Sequence, residues 1–257
     1  MQTKQYDELE VLIGDNDEEI GTAAAEVFAD AVKDALKERD EISVILALGA
    51  SQTTFFSALR ERTDIAWSKI NVLHVDTYMG VPESAPESGA SRMRKHLLDE
   101  VKPKAFYPMQ GDHLPVEEEL TRYGRLFEEL DPVLTVVGIG ETGHLAFNDP
   151  PADFRTHDII QAVSLSDVTR AQIVRNGIFS DLEKAPRYGL SLTMYALLRQ
   201  PTVIALVHEP EKAEAVRQLL EEPVSIMRPA SILKTKKSAR LYLGPEAATL
   251  LRAPAIA

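Results

Sequence analysis

The sequence contains no cysteine, a single tryptophan, and only 28 lysines and arginines against 40 aspartates and glutamates, a formal net charge of −12 over 257 residues. Without cysteine there are no disulfides, no thiolate metal centres and no cysteine nucleophile. The shortage of positive charge argues against a nucleic-acid partner, which calls for a basic face. No apolar run approaches the roughly 18 residues of a membrane span. The opening stretch, MQTKQYDELEVLIGDNDEE, lacks the apolar core of a signal peptide. Internal repeats, low-complexity tracts and long linkers are missing as well. The expectation is a soluble, cytoplasmic globular protein whose partner is a small molecule rather than a polyanion or a membrane. Its 44% hydrophobic content is ample for a packed core.

Five short apolar runs stand out: Ile42–Leu48, Asn71–Val75, Leu134–Val137, Thr202–Val207 and Ala239–Leu243. They are rich in Val, Ile and Leu without polar alternation, the pattern of strands buried on both faces of a parallel sheet. Between them lie charged stretches with helical spacing: Ile20–Leu36, which Asp15, Asn16 or Asp17 can cap, then Pro115–Leu130 and Glu211–Leu220. The alternation predicts an α/β fold, a doubly wound and mostly parallel sheet with helices on both faces, as one domain over residues 1–257. The patches Val81–Ser91 and Asp149–Phe154 are short enough to read as functional loops. Ligands of such sheets bind beyond the carboxyl ends of the strands, so the segments behind the five runs carry the functional argument.

Behind the first run, Gly49-Ala50-Ser51-Gln52-Thr53-Thr54 leads into a helix expected to start near Phe55. Gly49 admits close backbone approach, and free N–H groups at a helix N-terminus suit an anion such as phosphate. Ser51, Thr53 and Thr54 serve equally as ordinary caps. No GK[ST] follows, so nucleotide binding of the P-loop kind is unsupported. Behind the second run stands Asp76, placed to act as a general base whose pKa burial raises; a loop-capping Asp beside a core Tyr78 is the alternative. His74 shares a strand face with Asp76 and reads as a packed or hydrogen-bonded histidine.

Behind the third run, Gly138, Gly140 and Gly143 are followed directly by His144, with Asp149 five residues on. An imidazole beside a carboxylate is the pairing that orients a histidine and supports its charge while it moves protons. The pair matches no metal-ligand spacing. A satisfied structural histidine, which would normally sit in a less glycine-rich and less polar loop, is the alternative. Behind the fourth run, Glu209 and Glu211 suit a helix N-terminus but Lys212 does not. That mismatch points to an anionic ligand, with a solvated surface lysine as the alternative. Arg228-Pro229-Ala230-Ser231 is expected to close the same cleft.

Together these blocks resemble the glucosamine-6-phosphate deaminase/isomerase family, whose wider superfamily includes 6-phosphogluconolactonases. The stretch GIGETGHLAFNDP at 138–150 is similar to the family's GIGxDGHIAFNEP, and VDTYMGVP at 75–82 to MDEYVGLP. LGASQTTFFSAL at 48–59 looks like its phosphate loop, and APRYGLSLTM at 185–194 is similar to VPKYALTVGV. Glu211-Lys212-Ala213 and Pro229-Ala230-Ser231 match its lysine-containing and PAS blocks.

The resemblance implies a Rossmann-like fold acting on an aminosugar phosphate, with no metal or nucleotide cofactor. It implies that Asp76 shuttles a proton between C2 and C1 and that His144 assists opening of the pyranose ring, supported by Asp149. It assigns the phosphate to Gly49, Ala50, Ser51, Gln52, Thr53 and Lys212. Departures are visible too. Thr142 stands where the family has a carboxylate, Asp149 replaces a Glu and Thr77 replaces the Glu after the base. Glu141 is adjacent but expected to point elsewhere. The family's phosphate arginine has no clean match, with Arg170 and Arg175 as the nearby candidates. Phe154–Val163 lacks the basic pattern of allosteric members, so no allosteric site is expected. The leading expectation is conversion of glucosamine 6-phosphate or a close relative to a ketose 6-phosphate with release of ammonia. The alternatives are a lactonase-like hydrolase and a phosphosugar-binding sensor without turnover. Members occur as monomers and as assemblies, which leaves a homo-oligomer open.

Overall fold

The computed structural model describes residues 1–252; residues 253–257, part of the expected 1–257 unit, lie outside the described residues. In chain order the elements are β1 (Gln2–Tyr6), β2 (Leu9–Ile13), α1 (Asp17–Ala35), β3 (Ile42–Leu46), α2 (Thr53–Glu61), β4 (Ile70–His74) and β5 (Asp76–Tyr78). There follow α3 (Gly89–Met93), a π-helical turn (Arg94–Leu98), α4 (Asp99–Val101), β6 (Ala105–Tyr107), α5 (Val116–Leu130), β7 (Leu134–Gly138), β8 (Ile160–Ser164) and α6 (Asp167–Arg175). The last are β9 (Tyr188–Leu192), α7 (Met194–Leu198), β10 (Thr202–Val207), α8 (Ala213–Glu221) and β11 (Ala239–Leu243).

Eight strands form one sheet in the order β1-β2-β11-β10-β7-β3-β4-β6, parallel throughout except for the antiparallel β1–β2 pair at one edge. The five apolar runs are the five consecutive inner strands β11, β10, β7, β3 and β4, displaced by no more than two residues from their sequence bounds. Their lack of alternation has a direct cause. Successive side chains point to opposite faces, and both faces are covered. Val44 and Leu46 pack with Phe28 of α1 and Phe55 of α2, whereas Ile45 between them packs with Tyr123 and Phe127 of α5. Likewise Ile204 and Leu206 face the first layer, and Val203, Ala205 and Val207 the second. α1 starts where expected, with Asn16 as the cap accepting from the Glu19 N–H at 2.9 Å. No helix among the described residues is long and apolar enough to cross a membrane.

A second, three-stranded antiparallel sheet, β5-β9-β8, stands apart from the first. Sequence pattern does not announce it, because β5 has three residues and β8 and β9 are interrupted by glycine and polar side chains. Its importance lies in where it meets the large sheet. The chain leaves β4 at His74 and enters β5 at Asp76. Strands β3 and β7 are the point at which the sheet order reverses, and the loops behind β3, β4, β7 and β10 converge beyond their carboxyl ends.

Candidate active site

A cleft of about 410 Å³ opens at this point, lined by Ala47–Thr53 behind β3, Asp76 and Tyr78 on β5, Gly138–Gly140 and His144 behind β7, and Lys212 behind β10. Eight of the nine residues singled out from sequence (Gly49, Ala50, Ser51, Gln52, Thr53, Asp76, His144 and Lys212) therefore line one cavity. Asp149, the ninth, stands behind His144.

Asp76 is held by its neighbours rather than by its own side chain. The Tyr123 hydroxyl, on α5, accepts from the His74 N–H at 2.9 Å and donates to the His74 carbonyl at 2.8 Å. The Val75 carbonyl accepts from the Leu192 N–H at 2.9 Å. The backbone before the carboxylate is thus pinned by α5 on one side and by the small sheet on the other, while the carboxyl itself makes no hydrogen bond among the described residues. Desolvation pushes its pKa up to about 7, against the opposing pull of the Arg92 charge. His74 is packed, as expected, edge-on against Phe106, but not hydrogen-bonded: neither ring nitrogen has a partner. Burial, with Arg92 adding to it, lowers its pKa to about 4, so the ring is neutral.

The glycine-rich loop explains itself sterically. A Cβ on Gly140 would fall 2.0 Å from His144 Nε2, so the imidazole lies directly on that backbone, and Gly143 has φ +76°. His144 Nδ1 lies 2.8 Å from Thr142 Oγ1 and 3.0 Å from Asp149 Oδ1. Thr142 donates to Asp149 Oδ1 at 2.7 Å, Thr169 Oγ1 lies 2.8 Å from Asp149 Oδ2, and the Ser166 N–H reaches the same oxygen at 3.2 Å. Burial alone would raise the Asp149 pKa; the His144 contact and charge, with the two threonine hydroxyls, reverse this and hold it well below the usual carboxylate range. The shorter Asp side chain at 149 therefore still reaches the imidazole. Glu141 points away, paired with Arg175.

At the other end, α2 begins at Thr53 behind a 3₁₀ turn (Ala50–Gln52), two residues before the expected Phe55. Lys212 ends another 3₁₀ turn before α8 and is buried, which removes the solvated-lysine alternative. It donates to Ser51 Oγ at 2.8 Å and to Glu209 Oε1 at 2.7 Å. The anion that the lysine meets is thus a carboxylate of the chain itself. Despite its burial, Glu209 is held below the usual carboxylate range by the Lys212 charge and by hydrogen bonds from Lys212 and Ser51.

Residues 15–243 match the family described as glucosamine-6-phosphate isomerases/6-phosphogluconolactonase. The chain belongs to this family. It is 31% identical to the glucosamine-6-phosphate deaminase of Ligilactobacillus salivarius over 237 residues, which are 90% of this chain and 95% of the relative. Glucosamine-6-phosphate deaminase 1 of Bacillus subtilis is 28% identical over 240 residues, covering 91% of this chain and 96% of the relative. Among solved structures, a monomeric glucosamine-6-phosphate deaminase superposes with a TM-score of 0.85 at 26% identity, covering 93% of this chain and 99% of that one. The 6-phosphogluconolactonase of Trypanosoma brucei shares the fold, with a TM-score of 0.76 at 15% identity over 96% of this chain and 98% of that one.

Within this family frame three expectations change. Arg170 is turned inward, donating to the carbonyls of Leu182 and Ala185, and Arg175 is spent on Glu141; neither lines the cleft. Arg92, Arg60 and His96 line it instead, three basic residues on α3, α2 and the π-helical turn that sequence reasoning passed over. The 228–231 segment does not close the cleft but backs it, the Ala230 N–H donating to the Gly143 carbonyl at 2.8 Å. Thr169 is also new to the site. It arrives on α6, 20 residues beyond Asp149, with no local signal to mark it. Among the described residues no group of three or more His, Cys, Asp or Glu is arranged to hold a metal ion.

Proposed function

We propose that the protein is an aminosugar-phosphate deaminase/isomerase, converting glucosamine 6-phosphate or a close relative to the ketose 6-phosphate with release of ammonia. The observation that carries this reading is the separation of two carboxylates in one site: Asp76, raised to about 7, and Asp149, held ionised against His144. Opposed pKa shifts of this kind divide the labour of acid–base chemistry. His144 has Nδ1 engaged and Nε2 without a hydrogen bond on the cleft side, so Nε2 exchanges a proton with the ring oxygen as the pyranose opens. Asp76 as carboxylate then takes the C2 proton of the open-chain aldehyde while O1 takes up a proton, giving the enolamine. As neutral acid it delivers the proton to C1 while the C2 nitrogen gives one up, so that the proton gained at O1 balances the one lost from nitrogen. The C2 imine so formed takes up water and releases ammonia. One positioned base contributes about 10²- to 10⁴-fold to such a transfer. The phosphate is assigned to the 49–53 loop, where the Ala50 and Ser51 N–H groups find no acceptor among the described residues, and to Lys212 beside it.

The test is incubation of the purified protein with glucosamine 6-phosphate, measuring ammonia and fructose 6-phosphate together. Equimolar formation of both, falling at least about 10²-fold in Asp76→Asn, is the expected result. No turnover above that variant overturns the reading. Hydrolysis of 6-phosphogluconolactone that survives Asp76→Asn but not His144→Ala assigns the site to lactone hydrolysis. Stabilisation by phosphosugars without turnover assigns it to sensing.

A further inference from the structure

The positive charges of this cleft are not distributed as the position of the 49–53 loop alone would suggest. Lys212 is already paired: Glu209 Oε1 lies 2.7 Å from its Nζ, and Glu209 Oε2 accepts from Ser51 Oγ at 2.6 Å, so the lysine and carboxylate cancel. The α6 arginines contribute nothing, Arg170 being consumed by two carbonyls and Asp167, and Arg175 by Glu141. On α2, Arg60 is fixed by the His96 carbonyl at 2.6 Å and by Glu100 at 3.3 Å. Arg92, on α3, differs from all of them. It lines the cleft, is partly buried, and its side chain makes neither an ion pair nor a hydrogen bond among the described residues. Its charge is felt at Asp76, Tyr78 and His96.

A free guanidinium in a partly desolvated cleft of a −12 protein is unusual, because acids outnumber bases 40 to 28 and most of the arginines along the chain are paired. Five donors in a rigid fork match a phosphate monoester better than any other side chain does. Resting on the sugar-phosphate reading above, we infer that Arg92 supplies the guanidinium that recognises the substrate's phosphate beside the 49–53 loop, drawn from α3 and not from α6. The cleft then offers the phosphate two kinds of donor: the backbone N–H groups of the 49–53 loop and the Arg92 guanidinium. Glu209 keeps Lys212 from acting as a bare cation, so selection for the phosphate falls on Arg92.

Calorimetric titration with fructose 6-phosphate, and with fructose as its uncharged counterpart, tests this on wild type, Arg92→Gln, Arg92→Lys and Arg175→Gln. Steady-state kinetics over pH accompany the titrations. Arg92→Gln is expected to weaken fructose 6-phosphate binding about 10- to 100-fold and to raise KM with kcat little changed. Arg92→Lys recovers part of the loss, since a lysine keeps the charge without the fork. Arg175→Gln changes affinity less than about twofold, as expected of an exposed surface pair. Should Arg92→Gln fail to fold, which circular dichroism reports, Arg92→Lys against Arg175→Gln decides alone. Undiminished phosphosugar affinity in the Arg92 variants, or an equal loss in Arg175→Gln, overturns the assignment. So does a pure alkaline shift of the acid limb of kcat/KM with affinity intact, which would make Arg92 only a tuner of Asp76. Arg92-dependent binding without ammonia release leaves this inference standing and refutes deamination; ammonia release indifferent to Arg92 does the reverse.

Discussion

Asp76 and Asp149 lie in the same site, and the protein treats them in opposite ways. Around Asp149 the side chains of Thr142, Thr169 and His144 and the Ser166 N–H converge on two oxygens at 2.7 to 3.2 Å. Around Asp76 the backbone is tightly pinned, yet nothing donates to the carboxylate. Both groups are withdrawn from water, Asp76 the more deeply, and in both burial pushes the pKa up; the supply of hydrogen-bond donors gives the net shifts opposite signs. Donors stabilise the charged form and lower a carboxyl pKa, and their absence leaves desolvation unopposed. A carboxylate that keeps its charge is suited to hold and support an imidazole. One that titrates near 7 is suited to give and take a proton at neutral pH.

The comparison is broken most severely by removing the charge that the donors protect. Asp149→Asn keeps the shape but presents an amide to His144 Nδ1, which frees the imidazole to adopt the other tautomer. Turnover of glucosamine 6-phosphate is expected to fall about 10²- to 10⁴-fold, the range for loss of a proton-moving group. Because the mutant amide cannot take its place, added acetate or formate is the rescue to try. A loss below about fivefold would mean that Asp149 is a structural ligand of α6 and not a support for His144.

The next effect is read by pH. With Asp76 at about 7, kcat/KM should fall roughly tenfold per unit as the solution is acidified below that value and level off above it. The same shift has a signature in stability. The folded state binds a proton at Asp76 that the unfolded chain has released, so this contribution is complete below about 4 and is lost as pH rises towards 7. Asp76→Asn should therefore gain in Tm over wild type, the gain growing between pH 4 and 7 and then remaining constant. Asp149 has the opposite sign: its stabilisation is present above the ordinary carboxylate range and disappears as acid drives the pH through its lowered pKa. A Tm difference for Asp76→Asn that is flat across this window would show that Asp76 is not desolvated.

How much of this was legible follows from where the constraints reside. The inner strands announce themselves because both faces are covered, so Val44, Ile45 and Leu46 are all apolar though they serve different layers. The pairing of His144 with Asp149 is legible because one loop carries both, and Asp76 because a carboxylate at the end of a buried strand is conspicuous. The β5-β9-β8 sheet is not, since its strands are short and its pairing joins residues 76–78 to 188–192. The donors that separate the two carboxylates are equally hidden: Thr169 reaches Asp149 from another helix, and the absence of donors at Asp76 is a property of packing alone. Lys212 shows a third kind of failure. Its position against the helix dipole correctly signals an anion nearby, but the sequence pattern does not distinguish a ligand from Glu209, three residues before it.

The smallest expected effect tests how the Asp149 side of the comparison is built. A carboxylate only accepts, so the one proton of the Thr142 hydroxyl goes to Asp149 Oδ1, and towards His144 the hydroxyl offers a lone pair. The Nδ1–H is thus shared between Thr142 Oγ1 at 2.8 Å and Asp149 Oδ1 at 3.0 Å. Two acceptors on one proton make the tautomer, with Nε2 free to act, doubly determined. Thr142→Val removes one acceptor and one of the donors to Asp149, but leaves the carboxylate in place with Thr169 and Ser166 still bound to it. Turnover should drop by about 2- to 10-fold, the worth of a single hydrogen bond that another partially replaces. The acid limb set by Asp76 should not move, because Thr142 touches only the other carboxylate. Nitrogen-15 shifts of the His144 ring provide the direct measure: an unchanged Nδ1–H tautomer in Thr142→Val, and a mixed one in Asp149→Asn, is what a carboxylate-determined imidazole requires. A tautomer lost in Thr142→Val would instead give the threonine the role assigned here to Asp149.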